Sequence, residues 1–315
     1  MSAEETRNFR SSYYEKVGFR SVEEKKSIEI LLKEKPLDIS KLKQFSLRFT
    51  VPQMYRNLMW KLLLGVISPH VESHSFIMDQ RTQEYNDLLE ALKSMRIVTS
   101  DLPKHHIFLI MWLLQTGNLK LDWKSQLEDP PYQNLLLISS ALLNMFDNDV
   151  DIFWISKGFF QYVAKFYACV NILVETTLKS LEREDQELHS HLKKVQALKS
   201  IPFTTWYCSC FAGLLKDPAL AKIWDKLVGG SCKILVFVAI RVLTTMRRRL
   251  ILLDSSDAVV DSLCDISEET AEMIANKAIE QWQQSGSPLT PASHPDGLKP
   301  HAANQRLKGF ATLYS

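Results

Sequence analysis

Cysteine and histidine are the residue types in this chain that most often bind metals or act as nucleophiles. Cys208 and Cys210 lie two positions apart, and no second pair of ligands follows at the spacing of a zinc site. Helical residues two apart point in different directions, which also argues against coordination by His189 and His191. The adjacent pair His105-His106 has the same problem. We therefore expect core thiols, ordinary polar histidines, no metal site and no cofactor.

Charge and cysteine content limit the partners and the compartment. The chain has 38 Lys and Arg residues against 36 Asp and Glu, and its net charge of +2 is too small for a whole-protein footprint on nucleic acid or anionic lipid. Five cysteines scattered through apolar sequence are typical of reduced thiols. Residues 1–10 lack the apolar core of a secretory signal. We expect a cytoplasmic protein.

One apolar stretch and one basic stretch follow each other late in the chain. Residues 234–243 include Arg241 and have half of the about 20 residues that a bilayer span needs, so they predict a buried helix. Arg247-Arg248-Arg249 are interpreted as a solvated helix end whose cations complement the helix dipole. Phosphate or lipid headgroups are the alternative ligands for these arginines.

Helices must position these residues, because the chain is poor in glycine, on which tight β-turns depend. Glycine makes up 10 of 315 residues. Apolar residues recur at helical spacing, as in residues 85–92 with Tyr85 and Leu89. The capping-box spacing of residues 21–24 predicts a helix start. At Asp217-Pro218 the aspartate is expected to cap a helix that begins with the proline.

The sequence predicts one all-α, multi-helix domain over residues 1–284 and a disordered tail over residues 285–315. The tail is rich in Ser, Pro, Gly, His and Ala, so it buries too little apolar surface to offset the entropy of ordering it. Residues 119–131, which end in Glu-Asp-Pro-Pro, are expected to form an exposed loop. The polar residues 182–186 are interpreted as a helix end or a solvated face rather than a domain boundary.

An ordered set of motifs carries a family resemblance across residues 50–245. Residues 56–65, RNLMWKLLLG, resemble the opening signature of the TBC (Tre-2/Bub2/Cdc16) domain family, and Ile223-Trp224-Asp225 resembles its later I-W-D motif. Residues 188–192 look like the L-x-x-H-L segment that lies between them. Most members are GTPase-activating proteins (GAPs) for Rab-type small GTPases. The resemblance implies a helical TBC fold whose structural motifs include Arg56, Trp60, Asp101, Trp224 and Asp225.

The two motif tryptophans, Trp60 and Trp224, are expected to be core anchors that each bury on the order of 150–250 Å². Asp225 is expected to cap a helix or to orient a neighbouring basic side chain. These residues therefore predict the fold rather than catalysis.

Catalytic members of this family insert an arginine and a glutamine into the GTPase. An arginine finger offers a planar donor fork to the transferring phosphoryl group. The segment that resembles the arginine motif, residues 98–104, retains Asp101 but has Lys104 in the arginine position, directly after Pro103. The best match to the glutamine motif leads to Gln133, which we interpret as a residue at a helix start rather than a finger. Both fingers are degenerate, so strong intrinsic GAP activity is not expected.

Residues 8–284 resemble one branch of the family more closely. The motifs that carry this likeness include residues 13–20, YYEKVGFR, and residues 228–239, VGGSCKILVFVA. The resemblance implies a small third subunit of the tuberous sclerosis complex, bound to the hamartin coiled coil beside tuberin, which carries the GAP activity toward Rheb and so restrains mTOR signalling. It also implies peripheral association with lysosomal or vesicle membranes through partners. An active Rab GAP, or a Rab-binding effector without hydrolysis, is the alternative.

If catalysis is weak, a binding surface must carry the function. Residues 75–98 hold enough apolar side chains to cover more than one helix face, so part of them could accept a partner helix in a groove. We predict partner contacts at Met78, Tyr85 and Leu89. The alternative is that all the apolar residues of this segment belong to the core.

Overall fold

The computed structural model describes residues 22–289, and within that range the regular secondary structure is entirely helical. The all-α fold class is therefore confirmed. In chain order the α-helices are α1 (Val22–Leu31), α2 (Ile39–Arg48), α3 (Gln53–Leu63), α4 (His74–Ser94), α5 (Lys104–Gln115), α6 (Trp123–Glu128), α7 (Pro130–Met145), α8 (Asp149–Tyr167), α9 (Val170–Glu184), α10 (Gln186–Lys194), α11 (Ala197–Ser200), α12 (Phe203–Cys208), α13 (Ala219–Val228), α14 (Ile234–Thr245), α15 (Arg247–Leu250), α16 (Ser256–Cys264) and α17 (Glu268–Gln284).

Two helix groups pack into one continuous core. In the first half of the chain, α7 packs between α5 and α8, while α3 and α4 also contact α8. In the second half, α14 lies along α17 and α9, and α13 joins α17 to α2. The ten-residue apolar run predicted as a buried helix lies in α14, where every residue of the run except Phe237 and Arg241 is buried. Among the described residues, no helix is both long and apolar enough to cross a bilayer.

An aromatic cluster at the centre joins the two groups. Trp60 of α3 and Trp224 of α13 are fully buried, as expected for core anchors. The Phe159 ring of α8 lies 5.5 Å from Trp60 and 4.5 Å from Trp224, measured between ring centroids. The indole N–H of Trp224 donates to the Cys210 carbonyl at 2.9 Å, so the buried polar atom is satisfied.

The predicted helix start at Asp217-Pro218 is wrong in detail. The helix begins at Ala219, and Pro218 occupies the N-cap position without a side-chain cap. The Oδ1 atom of Asp217 is buried and accepts no hydrogen bond from the described residues. Asp217 therefore faces a groove beside the helix instead of capping it.

The predicted exposed loop over residues 119–131 is also wrong, because it contains a helix with a buried side. Asp122 caps α6 through the Ser125 amide, and Pro130 begins α7. The Gln126 side chain is buried and bonds to the Asn118 carbonyl, the Lys120 amide and the Tyr132 hydroxyl. Local polar composition concealed these contacts, since each depends on a neighbour brought in by folding.

The packed chain continues past the predicted domain boundary at residue 284. The Pro288 carbonyl accepts from the indole N–H of Trp282 at 2.9 Å and from the Ser231 hydroxyl at 2.8 Å. The Leu289 carbonyl accepts from the Lys233 amide. Residues 290–315, the rest of the predicted tail, lie outside the described residues, as do residues 1–21.

Two polar stretches differ in outcome. The helix end predicted over residues 182–186 is confirmed, since α9 ends at Glu184 and Asp185 caps α10. The arginines after α14 are not simply a solvated end. They form the short helix α15, in which Arg247 pairs with Asp185 at 2.8 Å and also with Glu187.

Candidate functional site

A buried carboxylate on α13 organises the residues that resemble family motifs. Asp225 is fully buried, and its oxygens accept from the Trp60 indole N–H at 2.9 Å and from the Val51 amide at 3.0 Å. The Nε of Arg56 donates to Oδ1 at 3.1 Å, and its Nη2 donates to Oδ2 at 3.2 Å. Because every acceptor direction is used and the charge is paired, the carboxylate is stable in the core. Asp225 thus orients a neighbouring basic side chain, as expected.

Arg56, the arginine of this cluster, is held in place by hydrogen bonds. Besides its two bonds to Asp225, the Arg56 guanidinium donates to the Val51 carbonyl at 2.7 Å. Lys226, which follows Asp225 in the sequence, is also buried. Its ammonium group donates to the Ser46 carbonyl at 2.8 Å and to the Phe49 carbonyl. Together these bonds fix the link between α2 and α3.

Lys104, the residue predicted to stand at the arginine-finger position, is the first residue of α5. Its Nζ lies 2.7 and 3.0 Å from the two carboxylate oxygens of Asp149, which belongs to the first turn of α8. The Lys104 side chain is 61% exposed, so this ion pair is solvated. Asp101 lies in the preceding turn and accepts from the Ser100 hydroxyl.

A second lysine is held by the same turn of α8. Asp151 accepts from the Lys61 ammonium and from the Asn57 side-chain amide, both at 3.0 Å. The two carboxylates of this turn therefore tie α3 and α5 to α8. They occupy the favourable negative position at a helix N-terminus, where the dipole stabilises them.

Gln133 lies in the first turn of α7, where its interpretation as a residue at a helix start places it. Its side-chain amide donates to the Leu127 carbonyl at 2.6 Å, at the end of α6. This bond gives the side chain a structural role in joining α6 to α7.

Two histidines follow Lys104 in the first turn of α5. The rings of His105 and His106 lie 4.4 Å apart, and burial lowers the pKa of both imidazoles. The proximity of His106 lowers the pKa of His105 further. Both rings therefore favour the neutral form next to the positive end of the helix dipole.

The predicted partner contacts on α4 are only partly accessible. Tyr85 is 8% exposed and packs edge-to-face on Phe153 and Phe108, so it is a core residue, and burial raises the pKa of its hydroxyl to about 12. Met78 and Leu89 are half-buried and pack against the core. The periodicity that suggested a binding face is largely the periodicity of packing on the domain.

The exposed face of α4 is polar along most of its length. The large apolar residues that remain exposed lie near its two ends, with Phe76 at 68% and Met95 at 51%. A partner helix would therefore meet apolar anchors at the ends of α4 and polar side chains between them.

A cation–aromatic cluster beside α4 went unnoticed in the sequence. The Arg81 guanidinium lies 4.0 Å and the Lys157 ammonium 4.7 Å from the ring centroid of Trp154. The Trp154 indole N–H donates to the Arg81 carbonyl. Trp154 and Lys157 are three apart on α8, which is the only sequence signal, since the α4 contact arises from tertiary packing.

The structure places the cysteines and histidines among other partners. Cys208 and Cys210 are buried, and burial raises the pKa of the Cys208 thiol to about 12 and that of Cys210 well above its usual range. No group of three or more potential ligands occurs within residues 22–289. His189 lies near Glu182 and His191 bonds to the Leu253 carbonyl.

Comparison with known proteins decides the family. The Rab-GTPase-TBC domain model matches residues 132–251. Proteins named TBC1 domain family member 7 are 43% identical to this chain in Bos taurus and 42% identical in Homo sapiens, in each case over 92% of this chain and 99% of the relative. The Xenopus tropicalis protein of the same name is 43% identical over 90% of this chain and 97% of its own length. The chain belongs to the TBC domain family.

Solved structures show the same fold at low sequence identity. The Ypt/Rab-GAP domain of Gyp1p superposes with a TM-score of 0.57 at 14% identity, covering 84% of this chain and 99% of that one. The Chlamydomonas flagellar RabGAP TBC domain gives a TM-score of 0.52 at 15% identity, over 80% of this chain and 86% of its own. In this TBC domain, the bonds between Arg56 and Asp225 connect the two helix groups. Lys104 pairs with Asp149 of α8, and Gln133 donates to the Leu127 carbonyl of α6.

Proposed function

We propose that this TBC-domain chain acts by binding rather than by catalysis, as a subunit that holds a hamartin-type coiled coil and, through it, tuberin. In that role it supports the tuberous sclerosis complex, whose GAP activity toward Rheb restrains mTOR signalling. The observation that carries the proposal is the ion pair of Lys104 with Asp149 at the position of the arginine finger.

A lysine cannot supply the chemistry of an arginine finger. A guanidinium presents two parallel N–H donors to phosphoryl oxygens, and an arginine finger contributes about 10³–10⁵ to the rate of hydrolysis. An ammonium is a point charge without this fork, and here it already has a carboxylate partner. Since Gln133 is bonded to the Leu127 carbonyl, the water-orienting group is also engaged elsewhere.

The choice of partner rests on resemblance to one family branch. The relatives named TBC1 domain family member 7 match nearly their whole length, which supports a shared role over the full chain. The exposed Phe76 and Met95 at the two ends of α4 offer anchors for a helical partner. Any association with lysosomal or vesicle membranes then follows from the partners.

An active Rab GAP is the second candidate, favoured by the match to the Rab-GTPase-TBC model. Single-turnover GTP hydrolysis with a panel of Rab proteins separates the two functions. We expect less than about tenfold acceleration by stoichiometric chain, because no finger fork is supplied. Acceleration of about 10³ or more that is lost in Gln133→Ala or Lys104→Ala would support the enzyme and contradict the binding proposal.

A Rab-binding effector gives a third pattern in the same measurement. Association that depends on bound GTP, with no change in hydrolysis, would assign that role and replace hamartin as the partner. Glu90→Ala serves as the matched control for the two finger variants, since Glu90 is exposed on α4 and, among the described residues, pairs with Lys93 of its own helix.

A further inference from the structure

Two adjoining cavities form a groove along one side of the domain. The first, about 310 Å³, lies between the start of α3 and the turn that joins α7 to α8. The second, about 370 Å³, lies between α7 and the start of α13. Met145 and Asp217 line both cavities, so the two lie next to each other. We call this feature the Asp217 groove.

The groove has an apolar floor. Leu137, Ala141 and Met145 follow each other at four-residue spacing and form one stripe along α7. Leu215 and Leu220 close the opposite wall. The three α7 residues are all partly exposed, so their stripe is accessible to an incoming side chain. An amphipathic segment with apolar residues at helical spacing fits such a floor.

The rim of the groove is acidic. Asp147 lines the first cavity, Glu268 the second, and Asp217 both. Arg56 also lines the groove, but its guanidinium is bonded to Asp225 and to the Val51 carbonyl. Lys216, an exposed residue, is the remaining cation in the wall. Three carboxylates against one uncommitted cation favour a basic ligand.

Asp217 is the point where a basic group is most needed. Its Oδ1 atom is buried without a hydrogen bond from the described residues, a costly state for a carboxylate. Burial raises the pKa of this carboxyl; the neighbouring Arg56 lowers it, while Glu272 and Asp225 raise it. Lys222, a further nearby cation, is already paired with Glu272. A cationic side chain placed in the groove would give the Asp217 carboxylate a partner of opposite charge.

The C-terminal sequence of the chain has the complementary chemistry. Residues 297–315 contain no Asp or Glu, and they include the three cations Lys299, Arg306 and Lys308. Within this stretch, apolar residues recur at helical spacing at Leu307, Phe310, Ala311 and Tyr314. The pattern places an apolar stripe next to basic residues.

The length of chain beyond the described residues is sufficient for this contact. Leu289, bonded through its carbonyl to the Lys233 amide, lies just past the C-terminal end of α17, whereas Glu268 begins that helix. The 17 residues of α17 span about 25 Å. Residues 290–305 reach up to about 53 Å when extended. A tether of this kind gives a local concentration in the millimolar range.

We propose that residues 306–314 dock in the Asp217 groove of their own chain, with the basic residues at the acidic rim and the apolar stripe on α7. The groove borders Asn148 and Asn57, next to the carboxylates that hold Lys104 and Lys61, so the docked segment covers the surface beside the finger positions. This intramolecular contact is independent of the proposed partner.

Zero-length cross-linking of the full chain tests this contact. A carbodiimide joins a carboxylate to a lysine amine as an amide, so Lys308 reports which carboxylates lie beside it. We expect peptide mapping to recover Lys308 joined to Asp217, Glu268 or Asp147. Arg306→Glu combined with Phe310→Ser should lower that yield at least about fivefold, since both changes weaken docking but keep the reactive lysine. Lys277→Glu makes the same charge change as Arg306→Glu on the exposed face of α17 and should leave the yield unchanged.

Three results would overturn the proposal. One is Lys308 joined at similar yield to carboxylates elsewhere, such as Glu72 and Glu90. Another is an unchanged yield in the Arg306→Glu/Phe310→Ser variant. The third is a cross-link between chains in a mixture of ¹⁵N-labelled and unlabelled protein, which would assign the groove to a second copy. Urea unfolding of each variant checks that the domain remains folded, so that loss of folding does not confound the comparison.

Discussion

Asp225 shows how one residue of a family motif can stabilise the fold of this chain. Its carboxylate accepts from a backbone amide, an indole and a guanidinium, and its own carbonyl accepts from the Ser46 hydroxyl. The bonded partners are more than 160 residues apart in sequence from Asp225, so the contact holds the two helix groups together. The residue types could be picked out of the sequence as a motif, but the partners of the carboxylate required the folded chain.

Removal of this carboxylate should be strongly destabilising. Asp225→Ala leaves the Arg56 charge, whose side chain is 11% exposed, without its partner, and we expect a loss of about 3–5 kcal/mol in the free energy of unfolding. Asp265→Ala breaks a solvated pair with Arg249 and should cost at most about 1 kcal/mol. Urea unfolding followed by circular dichroism measures both. Equal losses in the two variants would show that the buried cluster is not a structural joint.

At the scale of single residues, the finger positions are the most informative difference between sequence and structure. The sequence identified Lys104 as a lysine where an arginine is expected, but it did not indicate Asp149 as its partner, 45 positions away. It placed Gln133 at a helix start, while the bond to Leu127 depends on α6, a helix that the polar composition concealed. Tyr85 is predicted as a partner contact from apolar periodicity, but it is buried, because periodicity cannot tell a core face from a binding face.

The first turn of α5 makes helix stability depend on pH. Burial lowers the pKa of His105 and His106 in the folded chain below the ordinary 6.5. At pH values between the folded and the unfolded pKa, the unfolded chain therefore binds more protons than the folded chain. Stability is therefore full above about pH 6.5 and falls as the pH drops toward the folded pKa. We expect the urea midpoint to decline from pH 7 to pH 5.

The double variant His105→Gln/His106→Gln should flatten this decline. His70→Gln, at an exposed position before α4, should leave the slope of the native chain unchanged. An identical slope in the native chain and the double variant would show that other groups cause the acid sensitivity. The comparison of slopes, rather than of midpoints at one pH, separates titration from a general loss of packing.

At the scale of elements, helices with strong periodicity were predictable and their boundaries were less so. The apolar run of α14 and the start of α10 after Asp185 follow from local sequence. The short helix α6 and the true start of α13 do not. Gln126 is stabilised by side-chain bonds to residues 6 or 8 positions away, and Pro218 forms the N-cap instead of the first turn.

For the whole molecule, the residues just past α17 are part of the domain. The Pro288 carbonyl accepts from the buried indole of Trp282, so a chain that ends at Gln284 leaves this N–H without an acceptor. We expect that truncation after residue 284 costs about 1–3 kcal/mol relative to truncation after residue 289. Thermal and urea unfolding of the two truncated chains measure the difference. Equal stability would mean that residues 285–289 contribute nothing to the packed chain.

For the whole molecule, the two candidate functions are stable binding of a partner protein and acceleration of GTP hydrolysis by a small GTPase. The most direct test is co-purification of the full chain with a hamartin coiled coil at physiological salt, followed by light scattering to determine the mass of the complex. We expect a stable complex that forms without nucleotide and survives dilution through gel filtration. Elution of the chain alone, together with strong acceleration of GTP hydrolysis by a Rab protein, would contradict it.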